Sequence, residues 1–162
     1  PSSMKNPDDY DPRVRDWYKL AMDNKGKVVI SAPYTSNATG NLVITIAKTT
    51  NDGQGVVATN VNLNEIGKIT SEIKVGTEGY VYILDSEHKF VYHPEQELGS
   101  EAPKNVQNDN LYKSDAGTFD YLHNGKDEKK MFFTTNELTG WKLAGTMYAD
   151  EVDETPIKRW WY

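Results

Sequence analysis

Cysteine is absent from the 162-residue chain, which excludes disulfides, thiolate metal sites and cysteine nucleophiles. The chain also lacks any apolar run near the roughly 20 residues that a membrane-spanning helix needs. Its longest apolar runs, such as residues 80–84, have the length of a strand. Basic residues are in the minority, with 18 Lys and Arg against 24 Asp and Glu, and the net charge is −6. Because nucleic-acid binding requires clustered positive charge, we expect no nucleic-acid partner.

Catalytic and metal-binding motifs are missing as well. The sequence has no G-x-S-x-G, no P-loop and no H-E-x-x-H, and its three histidines, His88, His93 and His123, lack zinc-ligand spacing. We therefore expect no enzymatic activity, no metal and no cofactor. His93 follows a strand-like run and has acidic neighbours, which would let it titrate near neutral pH as a sensor. The favoured alternative is an exposed histidine at a strand end.

Hydrophobic periodicity predicts an α+β fold. In the first half, Asp11 and Pro12 suit the start of a helix that ends near Gly26, and a second helix is expected over 64–73. Three strand-like runs lie between these helices, at 27–35, 41–49 and 53–63. In the first of these runs, simple alternation places four residues on one face of the strand: Val28, Ile30, Ala32 and Tyr34.

The pattern starts again in the second half. Strands are predicted at 79–85, 89–94, 117–123, 129–136 and 141–148, with a short helix and loops within 95–116. Asn124-Gly125 between two alternating runs is a strong hairpin signal. Each half thus ends in a three-strand antiparallel meander followed by an acidic helix start. The first half begins directly at its helix, so we expect its module to lack opening strands.

These patterns predict two tandem modules, each an antiparallel sheet with flanking helices. We assign residues 1–73 to a first, partial module and residues 74–155 to a second module. Residues 156–162, which combine basic and aromatic side chains, suit either a juxtamembrane segment or an added tail.

The densest cluster of functional side chains is the segment DYDPRVRDWY at residues 9–18. Arginine can hold a carboxylate through two hydrogen bonds, and Trp and Tyr can supply the walls of a pocket. Residue chemistry alone leaves an alternative open, in which a surface arginine pairs with Asp11 or Asp16 and the tryptophan simply belongs to the core.

The segment DYDPRVRDWY, the APY run at 32–34 and GVVATNVNLNEI at 55–66 resemble the double Cache domain of bacterial chemoreceptors, which has PAS-like modules. The run IKVGTEGYVYILDSEHKFVYHP and the later TGWKLAGTMYADEV resemble the membrane-proximal module of that family. The resemblance covers about residues 3–157 and is closest to receptors of Bacillus-type bacteria. It implies an extracytoplasmic domain with flanking transmembrane helices in a homodimeric receptor.

The resemblance also implies a ligand site in the membrane-distal module. Its residues would be Arg15 and Trp17 on the ligand carboxylate, with Tyr10, Tyr18, Tyr34, Ser36 and Asn60 around the rest of the ligand. Amino-acid-binding members have aspartates where this chain has Ser36 and Asn60. Neither residue can neutralise an ammonium, which is costly to bury without a partner. We expect a small carboxylate-bearing ligand, an amino acid or an organic acid, and leave its amine open.

The resulting hypothesis is a sensory ligand-binding domain of a methyl-accepting chemotaxis receptor. A sensor histidine kinase with the same ectodomain is the nearer alternative. A non-signalling structural or protein-docking domain is the alternative from another class.

Overall fold

The computed structural model describes residues 9–154 and divides the chain into two compact units. The first unit ends at Glu65 and the second begins at Ile66, within helix α2 (Leu63–Ser71). The assignment of 1–73 and 74–155 to a ligand-binding and a membrane-proximal module remains a prediction. Residues 156–162, the predicted juxtamembrane segment or tail, lie outside the described residues.

The first unit opens with a short 3₁₀ turn, Pro12–Val14, that leads into helix α1 (Asp16–Asp23). Asp11 caps the turn by accepting a hydrogen bond from the backbone N–H of Arg13, and Pro12 occupies the first helical position. Arg15, in an extended conformation, separates the turn from α1. The predicted single helix is therefore a turn followed by a helix, and Ala21 of α1 is fully buried.

The sheet of the first unit has four antiparallel strands around β3 (Leu42–Thr49). Strands β1 (Val29–Ile30) and β2 (Tyr34–Thr35) pair with one edge of β3, and β4 (Val56–Asn62) pairs with the other. The predicted meander is present, but the predicted strand 27–35 is two short strands. Its interruption falls at Ala32-Pro33, where proline has no N–H to donate to the ladder.

The interruption changes which side chains share a face. Ile30 pairs with Ile46 and Tyr34 pairs with Val43, so four residue steps on one strand oppose three on β3. One extra residue is accommodated there, as in a β-bulge, and it reverses the alternation. Tyr34 consequently lies on the opposite face from Ile30, so the predicted placement of both residues on one face is wrong.

The second unit contains a five-stranded antiparallel sheet in the order β6-β5-β9-β8-β7. Its strands are β5 (Tyr80–Leu84), β6 (Phe90–Tyr92), β7 (Ala116–His123), β8 (Asp127–Thr135) and β9 (Lys142–Tyr148). Helix α3 (Val106–Leu111) lies between β6 and β7, and helix α4 (Ala149–Glu154) follows β9. The predicted β7-β8-β9 meander and its acidic helix are present.

The core of the second unit lies on one face of this sheet. Leu84, Leu111, Met131 and Ala144 are all fully buried in it. The tight turn between β7 and β8 uses Asn124 and Gly125, which both have positive φ (51° and 70°), as the sequence predicted for this dipeptide. Within residues 9–154, no helix has the length and apolar character needed to cross a bilayer.

Candidate ligand-binding site

Within residues 9–154, Asp11 pairs with Arg13, and Arg15 has no ion-pair partner. Arg13 donates from Nε and from one terminal nitrogen to the two oxygens of Asp11, at 2.9 Å each. These hydrogen bonds hold the pKa of the Asp11 carboxyl below its ordinary value. The Nε atom of Arg15 is buried and has no hydrogen-bond partner in the described part of the chain. The pair between a surface arginine and Asp11 that the alternative predicted is thus present, and Arg13 forms it.

Arg15 lines a cavity of about 160 Å³ in the first unit. Its Cζ atom lies 4.8 Å from the centroid of the Tyr10 ring, which fits a cation–π contact. The structure brings six of the seven sequence-predicted site residues together in the lining of this cavity, with two additional residues: Tyr10, Arg15, Trp17, Tyr34, Ser36 and Asn60, joined by Asn37 and Ala38.

Tyr18 is the predicted site residue that does not line the cavity. Its ring packs edge-on against Trp17, with the ring centroids 5.9 Å apart. Tyr18 can therefore influence the cavity through the position of the indole. Helical geometry explains the difference, because consecutive residues of α1 point in different directions.

A chain of side-chain hydrogen bonds forms one wall of the cavity. The Tyr34 hydroxyl lies 2.6 Å from Oγ1 of Thr45, and that Oγ1 donates to Oδ1 of Asn60 at 2.8 Å. We call these three residues the wall relay. Thr45 is 1% exposed and sits on the central strand, where it pairs with Asn60 across the sheet. The register shift at Pro33 is what turns Tyr34 toward this face.

Thr45 was not among the sequence-predicted site residues. The available signal was a polar residue in the middle of an otherwise apolar strand, between Ile44 and Ile46. A buried hydroxyl at such a place requires a hydrogen-bond partner. The identity of that partner could not be read from the sequence, because it depends on the register between β2, β3 and β4.

The second unit contains a larger cavity, of about 250 Å³. Among the described residues of its lining there is no lysine or arginine, and Glu95 is the one acidic residue. The cavity therefore lacks a cationic anchor for a carboxylate. The first-unit cavity is smaller, but it has the chemistry that an anionic ligand requires.

His93 lines this second cavity and is half-buried. Its Nδ1 accepts hydrogen bonds from the backbone N–H groups of Glu95 and Gln96, and its ring contacts three aromatic rings, those of Tyr80, Tyr82 and Phe90. Burial lowers the pKa of His93 to about 4, although the charge of Glu95 opposes this shift. The sequence expectations of an exposed strand-end histidine and of titration near neutral pH are both wrong. Within residues 9–154, no group of three or more His, Asp or Glu side chains is placed to hold a metal ion.

Comparison with known proteins gives a consistent result. A family model described as Cache domain matches residues 2–155. The methyl-accepting chemotaxis protein McpA of Bacillus subtilis is 47% identical over 148 residues, which are 91% of this chain and 22% of McpA. The chain therefore spans about a fifth of the length of that relative.

Solved structures with the same fold come from two kinds of receptor. The ligand-binding domain of the Pseudomonas fluorescens chemoreceptor CtaA, in complex with L-isoleucine, is 25% identical with a TM-score of 0.68, over 93% of this chain and 63% of that one. The extracellular domain of the putative histidine kinase mmHK1S-Z3 has a TM-score of 0.74 at 14% identity, over 87% of this chain and 56% of that one. At 14% identity the second likeness speaks for the fold alone.

Proposed function

The chain belongs to the Cache domain family, and on that premise we propose that it is the extracytoplasmic ligand-binding domain of a methyl-accepting chemotaxis receptor. Its ligand is a small molecule with a carboxylate, held in the first-unit cavity. The intact receptor is a membrane-anchored homodimer, and the ligand acts by favouring one of two receptor states over the other.

The observation that carries this proposal is Arg15, which lines the cavity and whose buried Nε has no partner among residues 9–154. An unpaired buried donor is costly, and a cationic one more so. A ligand carboxylate would remove this cost by accepting charge-assisted hydrogen bonds from the guanidinium. Trp17 and Tyr10 flank the same space and can exclude water from the contact.

The relatives support the same ligand class. CtaA, 25% identical to this chain, is described in complex with L-isoleucine, an amino acid that carries a carboxylate. Similarity to a chemotaxis protein at 47% identity, against 14% for the histidine kinase domain, favours a chemoreceptor over a sensor kinase.

A structural or docking domain would be expected to bury Arg15 and Trp17 against each other. In the structure, Arg15 lies over the ring of Tyr10, Trp17 packs against Tyr18, and both Arg15 and Trp17 line a cavity.

The test is isothermal titration calorimetry of the chain with small carboxylic acids, repeated with Arg15→Ala. We expect at least one acid to bind the wild-type protein, and Arg15→Ala to reduce its affinity on the order of 10- to 100-fold, since a hydrogen bond to a charged group is worth about 1.5–3 kcal/mol. Arg13→Ala is the matched control, because it removes the same charge from an exposed arginine two residues away. An acid that binds both variants with wild-type affinity would contradict the assignment of Arg15 as the anchor.

A further inference from the structure

The described lining of the first-unit cavity carries one charge. Arg15 is a cation, and none of the other seven lining residues is an acid. A ligand carboxylate satisfies Arg15 and leaves the cavity neutral. A zwitterionic amino acid would bring an additional ammonium, for which the described lining offers no carboxylate partner.

The direction of the hydrogen bonds in the wall relay determines what Asn60 offers to a ligand. The single hydroxyl proton of Thr45 is donated to Oδ1 of Asn60. The close contact between Tyr34 and Thr45 must then use the phenolic proton, with Tyr34 as the donor. This arrangement uses both hydroxyl protons and occupies the amide oxygen of Asn60.

The opposite arrangement of the amide satisfies fewer groups. If Nδ2 of Asn60 donated to Thr45, one of the two hydroxyl protons of Tyr34 and Thr45 would have no acceptor among the described residues. A buried or half-buried hydroxyl that lacks a hydrogen-bond acceptor lowers the stability of the folded protein. The relay therefore directs Nδ2, a hydrogen-bond donor, away from Thr45, and because Asn60 is exposed and lines the cavity, solvent or a ligand can accept from this group.

Around the cavity, donors predominate. Arg15 Nε, the indole N–H of Trp17 and Asn60 Nδ2 have no protein acceptor within residues 9–154, and the hydroxyl of Ser36 can act in either sense. A volume of about 160 Å³ corresponds to about five water molecules, at about 30 Å³ each. The complementary ligand is compact, anionic and rich in acceptors.

We propose that the site selects small 2-oxo or 2-hydroxy carboxylates over the corresponding 2-amino acids. This inference rests on the proposed function, because it assumes that Arg15 holds a ligand carboxylate. The oxo or hydroxyl oxygen accepts a hydrogen bond from Asn60 Nδ2, a position at which an ammonium would place donor against donor.

The experiment compares pyruvate, L-lactate and L-alanine, which share a three-carbon skeleton and differ in the group at C2. Calorimetry on the wild-type chain should give tighter binding for pyruvate or lactate than for alanine, by on the order of tenfold or more, which corresponds to about 1.4 kcal/mol. Alanine binding as tightly as both other acids, through Arg15, would overturn this inference and leave the proposed function intact. Failure of all three acids and of larger carboxylates to bind would instead refute the proposed function.

Asn60→Asp tests the cause of the selectivity. One carboxylate oxygen of the aspartate can still accept the hydrogen bond from Thr45. The second oxygen places a negative charge where the Nδ2 donor of Asn60 was. We expect the ratio of alanine to lactate affinity to rise on the order of tenfold in favour of alanine. Asn62→Asp is the matched control, since it adds the same charge on the same face of β4, two residues away and outside the cavity lining. An unchanged ratio in folded Asn60→Asp would overturn the inference. If this variant does not fold, the wild-type ranking of the three acids decides the question.

Discussion

Removal of the Thr45 hydroxyl tests how much the hydrogen bonds of the wall relay contribute to the free energy of unfolding. Thr45→Val preserves the shape and the β-branching of this fully buried side chain, and deletes both the 2.6 Å contact with Tyr34 and the 2.8 Å bond to Asn60. At about 1 kcal/mol for each hydrogen bond, the expected cost is about 2 kcal/mol. Tyr34→Phe deletes one bond and leaves the other, so its expected cost is about 1 kcal/mol.

The double variant separates the relay from unrelated packing effects. Once Thr45 is valine, the Tyr34 hydroxyl has already lost its partner, so Tyr34→Phe should cost close to nothing in that background. Because the two units of the chain need not unfold together, stability is measured by hydrogen exchange in urea on peptides from β3. Thr45→Ser, which keeps the hydroxyl and loses one methyl group, is the control for packing. Equal costs of Tyr34→Phe in both backgrounds would refute the relay.

Three further predictions concern the second unit, each followed by thermal unfolding. Burial lowers the pKa of His93 to about 4, so the wild-type protein should lose stability as the pH falls from about 6.5 to 4, where the unfolded chain binds a proton more readily than the native state. His93→Asn keeps an acceptor for the two backbone N–H groups and should lose less stability over the same range. An equal loss in both proteins would contradict the assignment of this pH dependence to His93. Burial raises the pKa of Asp85, so ionisation costs the native state more than the unfolded chain, and the wild-type protein should lose stability relative to Asp85→Asn as the pH rises from 3 to 7. A pH-independent difference between those two proteins would exclude this reasoning. Met131 is fully buried, and Met131→Ala should cost about 2–5 kcal/mol, whereas a cost below 1 kcal/mol would mean that the core collapses around the gap.

Local patterns in the sequence predicted most of the strands because each depends on neighbouring residues alone. Alternation identified β3, β4 and the β7-β8-β9 meander, and Asn124-Gly125 identified a turn whose positive φ values few other residues tolerate. The family resemblance, and not local pattern, identified six of the eight residues that line the first-unit cavity.

Other features depend on pairing over long distances, and these the sequence did not reveal. Two arginines are available for Asp11, and which one pairs is settled by the 3₁₀ turn that precedes α1. His93 is buried by aromatic rings from β5 and β6, and this burial lowers its pKa. The acidic neighbours in the sequence had instead suggested titration near neutral pH. Thr45 acquires its role through strand register, which a one-dimensional pattern does not contain.

The extra residue at Ala32-Pro33 sets which residue of this segment lies opposite Val43. In a continuous ladder that keeps Ile30 opposite Ile46, the third residue after Ile30 lies opposite Val43, whereas here the fourth residue, Tyr34, lies there. A deletion of one residue between Ser31 and Tyr34 would therefore remove the bulge and leave Tyr34 opposite Val43, on the face of Thr45, while the pairing of β3 with β4 would be unaffected. A related sequence that is one residue shorter at this point can thus keep the wall relay without the bulge.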